Sequence, residues 1–129
     1  MRILVCGLNP VVANVMEFRL RRHRFILQRT DNVNDALYLI HNTSVDAVLL
    51  NTDFVKYQIS TFISLIREDL NGTMPIILCA ETDTDINTIT DGIEAGADDF
   101  LLFPFKPAEL ILRLTLLLHQ SKNYQRHLF

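Results

Sequence analysis

The chain has 129 residues, 49% of them hydrophobic and 21% charged, with a formal net charge of −3. This length suits one domain with a real core, the composition excludes a disordered or fibrous chain, and the acidic balance argues against direct nucleic-acid contact. No apolar stretch approaches the roughly 20 residues needed to span a bilayer, and the start MRILVCGLNP lacks the h-region and cleavage site of a signal peptide, so a cytoplasmic protein without membrane contact is expected.

In chain order, short aliphatic runs alternate with longer segments of helical period. ILVC at 3–6 is followed by a helix over 11–23, FILQ at 25–28 by 33–42, AVLL at 47–50 by about 57–69, PIILC at 75–79 by 84–95, and DFLL at 99–102 by 107–120. Five β-then-α units predict parallel strands joined by right-handed crossovers, with helices on both faces of a doubly wound sheet. The punctuation agrees. Pro10 and Pro107 suit the first turn of a helix, Asn71-Gly72 a turn before the fourth strand, and Gly96 a helix C-terminus. The runs at 47–50 and 75–79 are apolar at every position, as central parallel strands are. Residues 1–120 read as the domain, and 121–129 as a fraying helix or the start of a linker.

Cys6 and Cys79 are too few for a disulfide framework and have no zinc-ligand spacing; buried thiols are expected. The four histidines, His23, His41, His119 and His127, are scattered and read as solvated surface. RLRRHR at 19–24 suits the C-terminal end of a helix, where positive charge complements the macrodipole. CGLNP has neither a GxGxxG nor a P-loop pattern, and no nucleophile–base constellation is found, so a small flavodoxin-like enzyme or nucleotide binder is disfavoured.

Several strings carry a family resemblance: MRILV…NP at the start, EFRLRRHRF closing the first helix, VDAVLLN closing the third strand, MPIIL at the fourth, and EAGADDFLLFPFKPAELILRL running from the fourth helix into the fifth. From about residue 2 to 120 the chain resembles the receiver domain of bacterial two-component response regulators, nearest to receivers that carry a winged-helix DNA-binding domain. The resemblance implies a flavodoxin-like (βα)5 fold with strand order 2-1-3-4-5. It also implies a site in which a strand-end aspartate is phosphorylated, an acidic pair helps it hold Mg²⁺, a lysine pairs with the phosphoryl group, and a Ser or Thr hydrogen-bonds it.

Matched position by position, that site is degenerate here. The phosphoacceptor falls on Asn51, the acidic pair on Gly7 and Leu8, the lysine on Phe103, and the hydroxyl on Ala80 or, counted from Gly96, Glu81. Phe100 stands where a tyrosine is common. Asp53, Lys56 and Lys106 are the nearby charges, each read as solvated. The expectation is a receiver that is not an enzyme, needs no metal or cofactor, and acts without phosphorylation. Leu8 and Phe103 either fill the former cleft or, with Asn51 and Ala80, line a pocket for an apolar small molecule.

What the family retains for output is a dimer face on the fourth helix, fifth strand and fifth helix. Ile89, Ile93, Ile111, Leu112 and Leu116 are its expected apolar members. Asp99 and Arg113 match a pair that bridges subunits, and Glu109 matches a further acid. AELILRLTLLL is apolar nearly all round, more than one buried face requires, so a homodimer is expected. Such a dimer would position an effector, a DNA-binding domain either linked to the chain or separate from it.

Overall fold

The computed structural model describes residues 1–55 and 58–128, with side chains as far as Gln120. Five strands, β1 (Arg2–Cys6), β2 (Ile26–Thr30), β3 (Ala47–Asn51), β4 (Ile76–Ala80) and β5 (Asp99–Leu102), form one parallel sheet in the order β2-β1-β3-β4-β5. The helices are α1 (Pro10–Arg21), α2 (Val33–Asn42), α3 (Ile59–Ser64, continuing as a π-helical turn over Leu65–Asp69), α4 (Ile86–Ala95) and α5 (Pro107–Leu128). This is the doubly wound parallel sheet that the alternation predicts, in the flavodoxin-like strand order that the resemblance implies.

Side chains alternate across each strand, so the sheet feeds two cores. On one face Ile3, Val5, Leu49, Ile77 and Leu101 meet Met16 and Leu20 of α1 and Leu110 and Leu114 of α5. On the other, Leu4, Val48, Leu50, Ile76 and Leu78 meet Ile40 of α2 and Phe62, Ile63 and Ile66 of α3 and its π-helical turn. β3 and β4 are buried on both faces, which is why they read as continuous apolar runs. α4 lies so close to β4 that a Cβ on Gly92 would come within 2.7 Å of Leu78 Cδ1.

Caps fix the helix ends. Asn9 accepts from the Val11 N–H ahead of Pro10, Asn32 from Asp35 N–H, and Asp85 from Asn87 N–H. Arg67, in the π-helical turn, donates to the carbonyls of Gly96, Gly72 and Met74 and to Asp98, whose carboxylate also accepts from Ile76 N–H. One guanidinium thus ties the end of α4 to the start of β4, where the chain would otherwise leave carbonyls without partners.

Several boundaries differ from the expectation, three of them informatively. β2 runs to Thr30 instead of stopping at residue 28, because an edge strand tolerates the half-exposed Gln28 and the exposed Arg29. α1 ends at Arg21, and Arg24 takes a positive φ of 64° as the chain turns back into β2. α5 continues to Leu128, past the expected end at residue 120, so residues 121–128 are helical.

Candidate functional site

In open parallel sheets, chemistry sits beyond the carboxyl ends of the strands. Here β1, β3 and β4 end in Cys6, Asn51 and Ala80, and Phe103 follows β5. The register places Cys6 beside Leu50, Asn51 beside Cys79, and Ala80 beside Leu102, with the Phe103 N–H donating to Ala80 O at 2.8 Å. Gly7, Leu8, Asn51, Ala80 and Phe103 therefore gather at one mouth of the sheet, as their positions in the sequence predict.

What occupies the mouth is packing. Leu8 is 7% exposed and belongs to the core under α1 and α5. Phe103 packs on the same core, with its ring 5.0 Å from that of Phe105. Ala80 is fully buried. Gly7 has φ +75°, a conformation that glycine adopts without strain, and a Cβ there would lie 2.8 Å from Phe54 Cδ1. Phe54, just past the third strand, covers the β1–α1 turn and stacks edge-on against Phe62. The apolar run VLLN gives no hint of this lid; the lone aromatic in the turn NTDFV is its only sequence signal.

Asn51 holds the mouth shut with both ends of its amide. Its Nδ2 donates to Gly7 O at 3.1 Å, and its Oδ1 accepts from Asp53 N–H at 3.0 Å. A carboxylate at this position could accept the second bond but could not make the first. The amide is therefore fitted to its neighbours as a clasp between the loops after β1 and β3.

The donor set does not fit Mg²⁺. A hard cation needs several oxygen ligands, carboxylates above all, and the mouth offers Gly7, Leu8 and Asn51 in their place. Among the described residues no three His, Cys, Asp or Glu side chains come together as a metal site. Asp53 lies in the turn after β3 and is exposed. Lys106 is exposed at the entry to α5, and Lys56 lies outside the described residues.

The apolar pocket framed by Leu8, Asn51, Ala80 and Phe103 is not what the geometry favours, since Leu8 and Ala80 are interior. Leu8 borders a small cavity of 110 Å³ shared with Val5, Pro10, Ala13 and the end of β2, on the far side from Ala80 and Phe103. Beside the mouth lies a larger, polar groove of 630 Å³ between the loops after β3 and β4, in which Asp53 and Glu81 take part.

Cys6 and Cys79 are buried free thiols, one on each side of β3. Burial pushes the Cys6 thiol up to about 12 and raises that of Cys79 further. Both stay neutral and unreactive at physiological pH.

The apolar members of the expected dimer face fall into three groups. Ile93, Leu112 and Leu116 are exposed at 38%, 58% and 51%, alongside Phe100 and Leu102 on β5. Ile111 is half-buried against the core. Ile89 is corrected: at 5% exposure it faces inward, because α4 turns that side to the sheet. Arg113 donates to Asp99 at 2.7 Å within the chain and lies 3.6 Å from Glu109. The Asp99 hydrogen bond, followed by the charges of Asp99 and Glu109, raises the Arg113 guanidinium above its ordinary value.

The model of the response regulator receiver domain family matches residues 3–115. Among curated proteins, Regulatory protein VanR of Enterococcus faecium is 28% identical over 123 residues, 95% of this chain and 52% of that protein. The chain thus spans about half the length of this relative. Among solved structures, a putative response regulator from Chloroflexus aurantiacus is 28% identical with a TM-score of 0.80, over 92% of this chain and 97% of its own. NtrX from Brucella abortus, solved in complex with ADP, superposes with a TM-score of 0.83 at 22% identity, over 97% of this chain and 28% of that one. The chain belongs to the response regulator receiver domain family, whose members are signalling modules of two-component systems.

Proposed function

We propose that this receiver domain works without phosphorylation and dimerises through α4, β5 and α5 to position an effector that regulates transcription. The observation that carries the reading is the Asn51 clasp. The residue at the acceptor position is an amide, and its nitrogen is engaged with Gly7 O. An amide cannot form the acyl phosphate, and Leu8 and Phe103, at the positions matched to an acid and to the lysine, pack on the core and offer neither a metal ligand nor a positive charge. Burial of Leu8 offers a stabilisation of about 1.5–3 kcal/mol, and the partly buried Phe103 a smaller one, in place of ligand contacts.

The exposed apolar side chains support the dimer. Ile93, Phe100, Leu102, Leu112 and Leu116 lie on three consecutive elements, a larger exposed set than a solitary surface needs. The ion pair of Arg113 with Asp99 sits beside them. In an isologous contact it would be free to exchange partners across the two-fold axis. An effector in the remainder of a longer protein is supported by the regulatory relative, of which this chain covers 52%.

The test has two arms. Incubation with acetyl phosphate and Mg²⁺ is expected to leave the intact mass unchanged, and a phosphoryl adduct on any carboxylate would overturn the first half. Leu116→Asp and Arg113→Glu are expected to weaken self-association, and variants that associate like the parent would overturn the second.

A further inference from the structure

The groove beside the mouth carries a concentration of charge that the reading above does not use. Asp53, Glu81, Asp83, Asp85 and Asp91 line it, and no Lys or Arg does so among the described residues. Thr52 lines it too. This residue is 6% exposed, and its Oγ1 has no hydrogen-bond partner among the described residues, leaving a buried hydroxyl for a group that enters the groove. The carboxylates are too dispersed to close round a metal ion. Their spacing suits an extended cation with several heads.

Such a cation is present at the other end of the same molecule. Arg19, Arg21, Arg22 and Arg24, with His23, are all exposed where α1 ends and the chain turns into β2. Among the described residues only Arg21 has an ion pair there, a 3.5 Å contact with Glu17 from a side chain 74% exposed, and Arg22 lies over the Phe18 ring. Glu17 is itself held more closely by Arg29 at 2.6 Å. The groove is built by loops that follow β3 and β4, whereas this basic run precedes β2. In a parallel sheet those are opposite ends. A five-residue strand is about 16 Å long, twice the screening length of about 8 Å at physiological salt, so the two patches cannot neutralise each other within one chain.

We propose that the acidic groove of one copy receives the basic end of α1 of a second copy. Guanidinium groups suit the site because each offers five N–H donors to separated carboxylates and the Thr52 hydroxyl. Because donor and acceptor patches lie at opposite ends, the contact is head-to-tail and repeats from copy to copy, as a ring or an open filament. It is independent of the apolar α4–β5–α5 dimer and, unlike it, governed by salt.

The test is sedimentation velocity of the chain at about 0.01 M and about 1 M salt, where the screening length falls from about 30 Å to about 3 Å. Species larger than a dimer are expected at low salt and their loss at high salt. Glu81→Lys with Asp83→Lys, and separately Arg21→Glu with Arg22→Glu, should each abolish the large species. An equimolar mixture of the two double variants should restore a salt-sensitive complex of two chains, since the intact groove of one variant meets the intact α1 end of the other. A mass independent of salt, or a mixture no heavier than its components, would overturn the proposal. Glu81 and Asp83 lie off the apolar dimer face, whereas Arg22 shares a cavity with its Ile111 and Leu112, so a salt-insensitive dimer that survives the groove substitutions bears on the first reading alone.

Discussion

Two neighbouring regions of the sheet's carboxyl edge differ in kind although they share the turn at residues 51–53. The mouth at the ends of β1, β3 and β5 is closed by Leu8, Phe54 and Phe103 and clasped by an uncharged amide. The groove after β3 and β4 is open and lined by five carboxylates. A general drift toward apolar surface would have changed both. On the proposed reading the uncharged mouth stands at the positions matched to the family's phosphorylation site, a region given to packing beside one that faces solvent and ions.

Placing a charge in each region breaks or sharpens this comparison. The largest effect belongs to Leu8→Asp, which buries an unpaired carboxylate in the core. Urea denaturation is expected to show a loss of about 3 kcal/mol or more, and a variant as stable as the parent would mean that the mouth is open to water.

Gly7→Ala comes next, because the left-handed backbone and the Phe54 ring both oppose a Cβ. A cost of about 1–3 kcal/mol is expected, only partly recovered by adding Phe54→Ala, since the backbone strain remains. Asn51→Asp replaces a donor with an acceptor facing Gly7 O. The expected cost is about 1–2 kcal/mol at neutral pH. It should shrink below about pH 4, the ordinary aspartate range, where the protonated acid can donate again.

The thiols flanking β3 give a smaller, pH-dependent effect. The folded Cys6 thiol is raised from 9.0 to about 12, so above pH 9 the unfolded chain ionises first. Stability linked to this group is complete below pH 9 and is lost as pH rises toward 12. Thermal denaturation across that window should flatten in a Cys6→Ala, Cys79→Ala variant once its lower baseline is subtracted. Least affected is Asp83→Asn in the groove. Its denaturation midpoint should match or slightly exceed that of the parent, because removing one exposed like charge relieves repulsion.

Much of the architecture is legible in the sequence because its signals are local. Continuous apolar runs mark β3 and β4, Pro10 and Pro107 mark helix starts, and strand ends alone place Asn51, Gly7, Leu8 and Phe103 together. The clasp is not legible, because the Asn51 amide is satisfied by a carbonyl 44 residues away. The groove is equally hidden, assembled from the turn after β3, the loop after β4 and the face of α4. Arg67 joins segments 29 residues apart without any periodic signal. Ile89 shows a different limit. Helical spacing puts Ile86, Ile89 and Ile93 on one stripe, but only the packing against β4 decides that Ile89 is covered while Ile86 stays 65% exposed.

The most direct measurement is sedimentation equilibrium of the domain alone and with Mg²⁺ plus beryllofluoride, a mimic of the phosphorylated state, at a salt concentration high enough to suppress charge-driven contacts. The account predicts a dimer whose dissociation constant is the same with and without the mimic. A monomer that dimerises only when the mimic is present would contradict it, and would mean that another carboxylate, Asp53 first, takes the role that Asn51 cannot.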